Sequence, residues 1–336
     1  MYARRSGESF DERGALCERL TNVVVVTGGA GFIGSHTVDL LLSCDEIEIL
    51  VVDNLCSGSR SNVPSDERVK LLELDVSDAR AVERLVSELS GERVSILHLA
   101  AIVRVEEVRS DPELGFRVNV NGTHNLLELA RRIDAERFVF ASSAAVYGDP
   151  ERLPIDESHP LRPKSLYGVT KLLGERLVER YSSEHGLSCA SLRYFNVYGP
   201  RMRRGPYAGV VLAFLEALLS GSRPVVYGDG AQTRDFVFVS DVVEANVAAL
   251  TSRTEGPLNV GTGVETSVMD LLGVLSELVG VAMEPLFAPP RPDDVRRSVA
   301  SIERIRETLG WEPRVGLREG LRATIEHYRV SGSGCI

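Results

Sequence analysis

Val23-Val24-Val25-Val26-Thr27-Gly28-Gly29-Ala30-Gly31-Phe32-Ile33-Gly34 is the stretch that decides the fold. Four β-branched residues in a row read as a strand, and the run empties straight into glycines that open a helix-period segment, residues 35–42. Gly28 permits the tight turn, Gly31 lets backbone approach a pyrophosphate, and Gly34 allows close helix–strand packing. The helix N-terminus offers free N–H groups to the anion. A second strand, 49–52, ends at Asp53, 19 residues beyond Gly34. A carboxylate there bonds the adenosine ribose hydroxyls and repels a 2′-phosphate, so NAD is expected rather than NADP. Arg60 is the nearby cation for a 2′-phosphate, and Asp53 outweighs it.

The alternation continues outward. Residues 69–74 read as a strand ending at Asp75-Val76, where an adenine edge would sit, and 79–89 as a helix. Residues 94–99 form a strand opening onto Ala100-Ala101, and 119–133 a helix. A strand at 138–140 runs into Ala141-Ser142-Ser143, followed by a helix at 165–185 and a strand at 188–194. Nearly all-apolar strands alternating with helices imply an α/β, doubly wound parallel sheet of Rossmann type, covered on both faces. Gly28, Asp53, Asp75, Ala100, Ser143 and Asn196 all follow strand ends and converge on one crevice.

After Asn196 the texture changes. A basic loop, 199–207, carries Arg201, Arg203 and Arg204 and reads as a solvated surface segment. Helices follow at 208–219, 241–250, 267–279, 301–309 and 317–328, strands at 224–227 and 235–239, and a rigid Pro-rich loop at 288–294. The expected division is a poorly ordered extension, 1–21, a dinucleotide-binding domain, 22–195, and a smaller C-terminal substrate-binding lobe, 196–330. The segment near 235–262 is expected to return to the first domain.

Composition excludes several classes. The chain has 336 residues, 43% hydrophobic and 26% charged, with a formal net charge of −10 and scattered arginines. A phosphate-neutralising surface for nucleic acid is therefore not expected. Five cysteines without a C-x-x-C pair, and six histidines without H-x-x-x-H spacing, give no metal site. They read as reduced thiols, with no disulfide framework. No apolar run reaches membrane-spanning length and the first residues hold no signal-peptide core, so no membrane association and a cytoplasmic location are expected.

The chemistry points to Tyr167-Gly168-Val169-Thr170-Lys171, read together with Ser142-Ser143. Tyr and Lys four apart lie on one helix face, one turn from each other. An ammonium there favours phenolate over phenol, lowering the Tyr from about 10. Such a phenol beside a Ser hydroxyl can take a proton from an alcohol. The chain has only three lysines, Lys70, Lys164 and Lys171, against 35 arginines. Tyr-x-x-x-Lys alone also describes an amphipathic helix with one snorkelling Lys. The phosphate loop upstream lifts it above that.

These motifs, in order, resemble the extended short-chain dehydrogenase/reductase superfamily, in its nucleotide-sugar epimerase/dehydratase branch. The matching stretches are TGGAGFIGSH at 27–36, VDNL at 52–55, LDVSD at 74–78, HLAA at 98–101 and NVNGT at 119–123. SSAAVYG at 142–148, YGVTK at 167–171, RYFNVYGP at 193–200, GDGAQTRDFVFVSD at 228–241, NVGTG at 259–263 and RPDDVRRS at 291–298 complete the set. Dehydratases of this branch place an Asp-Glu pair just after the catalytic Ser/Thr, and its decarboxylases a Glu; here Ala144-Ala145 stand there. The 3,5-epimerase/reductases use an extra Cys or His, which the motif lacks. The activity implied is 4-epimerisation of a UDP-sugar, UDP-glucose and UDP-galactose first, with NAD tightly held. A UDP-uronic acid epimerase is the alternative, and a non-catalytic NAD-binding regulator is opposed by the intact Ser143, Tyr167 and Lys171.

The resemblance also implies roles. Tyr167 would be the base, Lys171 would lower its pKa and bond the nicotinamide ribose, and Ser143 would orient the reacting hydroxyl, with Ser142 the less favoured holder of that role. Cofactor contacts fall on Gly28, Gly31, Phe32, Ile33, Gly34, Asp53, Asn54, Asp75, Val76, Leu99, Ala100, Ala101, Asn119 and Ser142, besides Tyr167 and Lys171. Arg234 and Arg291 would hold the substrate diphosphate, Asn196 a phosphate oxygen or the sugar, Tyr227 and Val268 the uracil, and Asp294 the uridine ribose. Ser298, seven beyond Arg291, would leave room for an N-acetyl group at C2. Relatives are homodimers joined through a four-helix bundle, which would use helices 119–133 and 165–185.

Overall fold

The computed structural model describes residues 17, 19–205 and 208–332. Most of the expected extension, residues 1–16 and 18, lies outside the described residues. Its described end is not loose: Leu20 and Thr21 are buried. The valine run forms β1 (Val23–Thr27), buried along its whole length. Six more strands join it: β2 (Glu48–Asp53), β3 (Val69–Glu73), β4 (Val94–His98), β5 (Arg137–Ser143), β6 (Cys189–Tyr194) and β7 (Gly256–Val260). Their order is β7-β6-β5-β4-β1-β2-β3, and every pairing is parallel.

Alternation along the strands explains the layers. Successive side chains point to opposite faces. Val24, Val26, Ile49, Val51 and Leu97 pack with Val38 and Leu41 of helix α1 (Phe32–Leu41). Val23, Val25, Leu50, Val52 and Ile96 pack with Val82 and Leu85 of α2 (Ala79–Leu89) and with Leu126 and Leu127 of α3 (Gly122–Arg132). Val178 of α4 (Leu166–His185) joins that second face, and Val242 of α5 (Val239–Leu250) joins the first. Pro257 is tolerated in β7 because this strand is the edge of the sheet.

Two local features were not legible. The expected helix from residue 119 begins at Gly122, after a π turn over Arg117–Asn121. The buried Asn119 amide brackets the Ile102 peptide, accepting its N–H at 2.8 Å and donating to its C=O at 2.9 Å. That contact accompanies the widened turn. Short helices at Val105–Ser110 and Pro112–Phe116 fill the link after β4; Asp111 caps the second by accepting Leu114 N–H, with Pro112 at its first position.

The expectation of reduced thiols is corrected. Cys17 and Cys44 form a disulfide, with their Cα atoms 5.4 Å apart. The chain before β1 runs beside the end of α1, which brings the two sulfurs together. Cys56 and Cys189 are free. A further core packs helices Val210–Leu219, Val268–Val279 and Leu317–Gly332 around Leu212, Leu215, Val226, Leu271, Leu275 and Leu321. Among the described residues no helix is long and apolar enough to cross a membrane, and no His, Cys, Asp and Glu cluster suits a metal.

Candidate active site

The glycine loop is held from both sides. Gly28 takes a φ of +69° and donates its N–H to Val52 O at 2.8 Å. A Cβ there would stand 2.9 Å from Ala100 N, and a Cβ on Gly34 would run into the Gly28 carbonyl. The first turn of α1 is therefore bare: Gly31 caps it without a side chain. Bare N–H groups at a helix start fit a pyrophosphate, so the residues present suit a dinucleotide.

Asp53, buried at the end of β2, braces this loop by accepting Ala30 N–H at 3.0 Å and Leu55 N–H at 2.8 Å. Burial raises its pKa, and the two N–H donors oppose the rise. Asn54 is exposed and reaches Asp75 at 3.5 Å; Val76 is buried. Leu99 N–H and Ala100 N–H bond Thr27 at 3.1 and 3.2 Å, so the loop after β4 lies against the glycine turn. Phe32, Ile33, Leu99, Ala100 and Ala101 are all half-buried there. Asn119 spends its amide on Ile102 and on Thr170 Oγ1, at 3.0 Å; its side chain shapes that loop from behind.

A cavity of about 370 Å³ opens beside the first turn of α1, lined by Gly31, Phe32, Ser57, Ser59, Asn62, Arg201, Arg203 and His327. Sequence reading passed over Ser57, Ser59 and Asn62, although hydroxyl and amide residues just past Asp53 were the available signal. The basic loop is not simply solvated: Arg201 pairs with Asp39 at 2.8 Å and Arg204 stacks on Tyr328.

Tyr167 and Ser143 come from different elements. Ser143 ends β5, and Tyr167 lies in the first turn of α4, whose N-cap Ser165 accepts Gly168 N–H at 3.1 Å. A Cβ on Gly168 would stand 2.6 Å from Ala145 O, so glycine lets the helix start lie on the turn after Ser143. Lys171, almost wholly buried, donates to Ala141 O at 2.8 Å and lies 5.1 Å from the Phe140 ring centroid.

The electrostatics depart from expectation. Tyr167 is not lowered: burial pushes it up to about 12, with the Ser143 hydroxyl pulling the other way. Burial presses Lys171 down to about 7, opposed by Glu175. The lysine gives its hydrogen bond to a backbone carbonyl, and desolvation outweighs both the Ser143 hydrogen bond at Tyr167 and the Glu175 charge at Lys171. Ser142 is likewise drawn elsewhere: its hydroxyl donates to the buried Glu175 at 2.5 Å, which turns it from the cofactor and substrate roles expected for it. Ser143 keeps its hydroxyl beside Tyr167 and accepts Ala145 N–H at 3.2 Å.

On the small-lobe side, Arg234 is 15% exposed, donates to Thr233 O and Val295 O at 2.6 Å, and pairs with Asp294. Arg291 stacks on Tyr227, 4.1 Å from guanidinium carbon to ring centroid, and both are exposed. Val268 is buried in the lobe's core, which removes it as an open face for a base. Ser298 is buried and Asn196 half-buried, with Asn196 N–H on Asp235 O at 2.9 Å. Asp293 pairs with Arg109, and Lys164 donates to Asp294 O at 3.1 Å, so this loop is fastened to the link after β4 and to the segment before α4.

Comparison with known proteins agrees with this arrangement. Residues 24–261 match the model of the NAD dependent epimerase/dehydratase family. A UDP-glucose 4-epimerase of Mycolicibacterium smegmatis is 42% identical over 310 residues, covering 91% of this chain and 98% of that protein. The Thermus thermophilus UDP-glucose 4-epimerase, solved with NAD, superposes with a TM-score of 0.84 at 43% identity, over 94% of this chain and 100% of that one. The Thermotoga maritima UDP-glucose 4-epimerase, solved with UDP-glucose, gives 0.87 at 38% identity, over 92% and 99%. The chain belongs to the NAD dependent epimerase/dehydratase family.

Proposed function

We propose that the protein interconverts UDP-glucose and UDP-galactose by transient oxidation at C4. The observation that carries this is the pairing of Ser143 and Tyr167 beside Ala144-Ala145, where removal of water would need an acid and a base. Bound NAD would supply the hydride acceptor and donor for C4. Gly28, Gly31, the first turn of α1 and Asp53 would hold it.

The chain's own residues handle protons and placement. Tyr167 removes the proton from the 4-hydroxyl and returns it. With burial pushing its pKa up to about 12, Tyr167 works at neutral pH only with positive charge beside it, and Lys171 is the cation one turn away. Ser143 hydrogen-bonds the reacting oxygen and fixes its direction. Arg234 and Arg291 hold the diphosphate, Arg234 exchanging Asp294 for phosphate oxygens, and the guanidinium fork suits them. Asp294, once released, turns to the uridine ribose. Tyr227 offers its ring to the base.

Ser298, small and buried, is proposed to leave room at the sugar's C2, with UDP-N-acetylhexosamines as further substrates. The chain is proposed to work as a homodimer through α3 and α4. The two helices are tied by Tyr181 donating to Glu128 at 2.5 Å, and α4 leaves Leu166 and Leu173 exposed.

Incubation with UDP-galactose, without added NAD, tests the reading. UDP-glucose formed with no net NADH supports it. No conversion of UDP-galactose, with NAD added as well, would refute it.

A further inference from the structure

Behind Ser143 and Tyr167 lies a buried charge that the reaction just described does not use. Glu175 sits one turn beyond Lys171 on α4, and the two side chains are 8% and 4% exposed. Its carboxylate accepts Ser142 Oγ at 2.5 Å and both arms of Arg193, at 2.9 and 2.7 Å. Arg193, 3% exposed, also donates to Tyr147 Oη at 2.9 Å. Ser142 on β5 and Arg193 on β6 are register partners. One carboxylate therefore ties the helix that carries Tyr167 and Lys171 to β5, which carries Ala141 and Ser143, and to β6.

A buried ion pair is weak evidence for stability, because apolar residues of similar volume often serve as well. This pair stands instead where a cation needs an anion. Lys171 faces Tyr167 and Glu175 on its own helix, and His98 on β4, whose ring burial keeps neutral. On β5 it meets the Phe140 ring and the Ala141 carbonyl, and on β6 Arg193 lies beyond Glu175. Among these groups Glu175 is the one carboxylate.

We propose that Glu175 is a positioning residue for Ser143, Tyr167 and Lys171, anchoring the end of β5 through Ser142 and Arg193 and serving as the internal counter-ion of Lys171. Its catalytic meaning rests on the 4-epimerase reading; its electrostatic role does not.

Three lysines in the whole chain make the test direct. Protein as purified, labelled with ¹³C at lysine Cε, gives three resonances, and Lys171→Arg assigns one of them. Glu175→Gln is expected to lower the Lys171 titration midpoint by at least one pH unit, a tenfold loss of proton affinity. The Glu175→Gln/Arg193→Met double variant leaves no buried guanidinium without its carboxylate and is likewise expected to lower the midpoint, whereas Ser142→Ala leaves it in place. In turnover of UDP-galactose, Glu175→Gln is expected to move the ascending limb of the kcat/KM profile to higher pH, with KM within about twofold. A Lys171 midpoint unmoved in the single and double variants overturns the proposal, whatever happens to their melting temperatures. If the wild type turns over no UDP-sugar, the epimerase reading fails, and the lysine titration still decides on Glu175.

Discussion

Arg234 and Asp294, expected on the diphosphate and the ribose of one nucleotide, are paired with each other. Arg234 is mostly buried, and burial lowers its pKa against the pull of Asp294. On the proposed reading, a diphosphate arriving there would replace one anion with another, so the cation would never be left bare.

Arg234→Ala is accordingly expected to act on binding. Charge-assisted hydrogen bonds contribute about 1.5–3 kcal/mol, which corresponds to a rise in KM for UDP-galactose of roughly 10- to 150-fold. The inhibition constant of UDP is expected to rise in parallel, with kcat within a few-fold. A fall in kcat at unchanged KM and UDP affinity would place Arg234 elsewhere.

On the proposed reading, Tyr167→Phe removes the proton acceptor and little else. Positioned acid–base groups contribute about 10²- to 10⁴-fold, and a loss of kcat in that range is expected. The NAD content of the purified variant, read by absorbance after acid release, is expected to match the wild type. Near-normal turnover would remove Tyr167 from the proposed role.

Acid stability follows from His98. It is fully buried between Thr27 Oγ1, at 2.8 Å, and Thr123 Oγ1, at 3.1 Å, and burial presses its pKa down to about 3. The unfolded chain then binds a proton that the folded chain refuses between about pH 6.5 and 3. Stability is full above 6.5 and lost as pH falls, by about 3 kcal/mol at pH 4 from this group. Lys171 has the same sign in another window: lowered from 10.5 to about 7, it makes stability climb with pH between those values. Urea midpoints followed through Trp311, the sole tryptophan, buried with its Nε1 on Asp241 O at 2.9 Å, will report both. His98→Asn is expected to flatten the acid slope; an unchanged slope would contradict the assignment.

Reduction of Cys17–Cys44 is expected to destabilise the chain. The bridge spans 27 residues, and the chain-entropy estimate for a loop of that length is about 3.5 kcal/mol. Under non-reducing conditions intact mass should be 2 Da below the reduced chain, a direct order-of-one-pair count (about two hydrogens). A reductant or Cys44→Ser is expected to lower the urea midpoint without changing NAD content. Free thiols at both positions in the purified, unreduced protein would contradict the bridge.

The sequence by itself determined the sheet, the phosphate loop and the family. These rest on local pattern: a valine run emptied into glycines, apolar strands alternating with helices, and motifs in fixed order. Tertiary structure alone decided which partner each polar group takes. Ser142 and Ser143 are neighbours of one type, yet alternation sends one hydroxyl to Glu175 and leaves the other beside Tyr167. Cys17 meets Cys44, Arg234 meets Asp294 and Glu175 meets Arg193 only when distant segments pack. The Tyr167 and Lys171 pKa values follow burial, which spacing along a helix does not encode. Burial is a property of the whole packed chain, and so is the choice of partner.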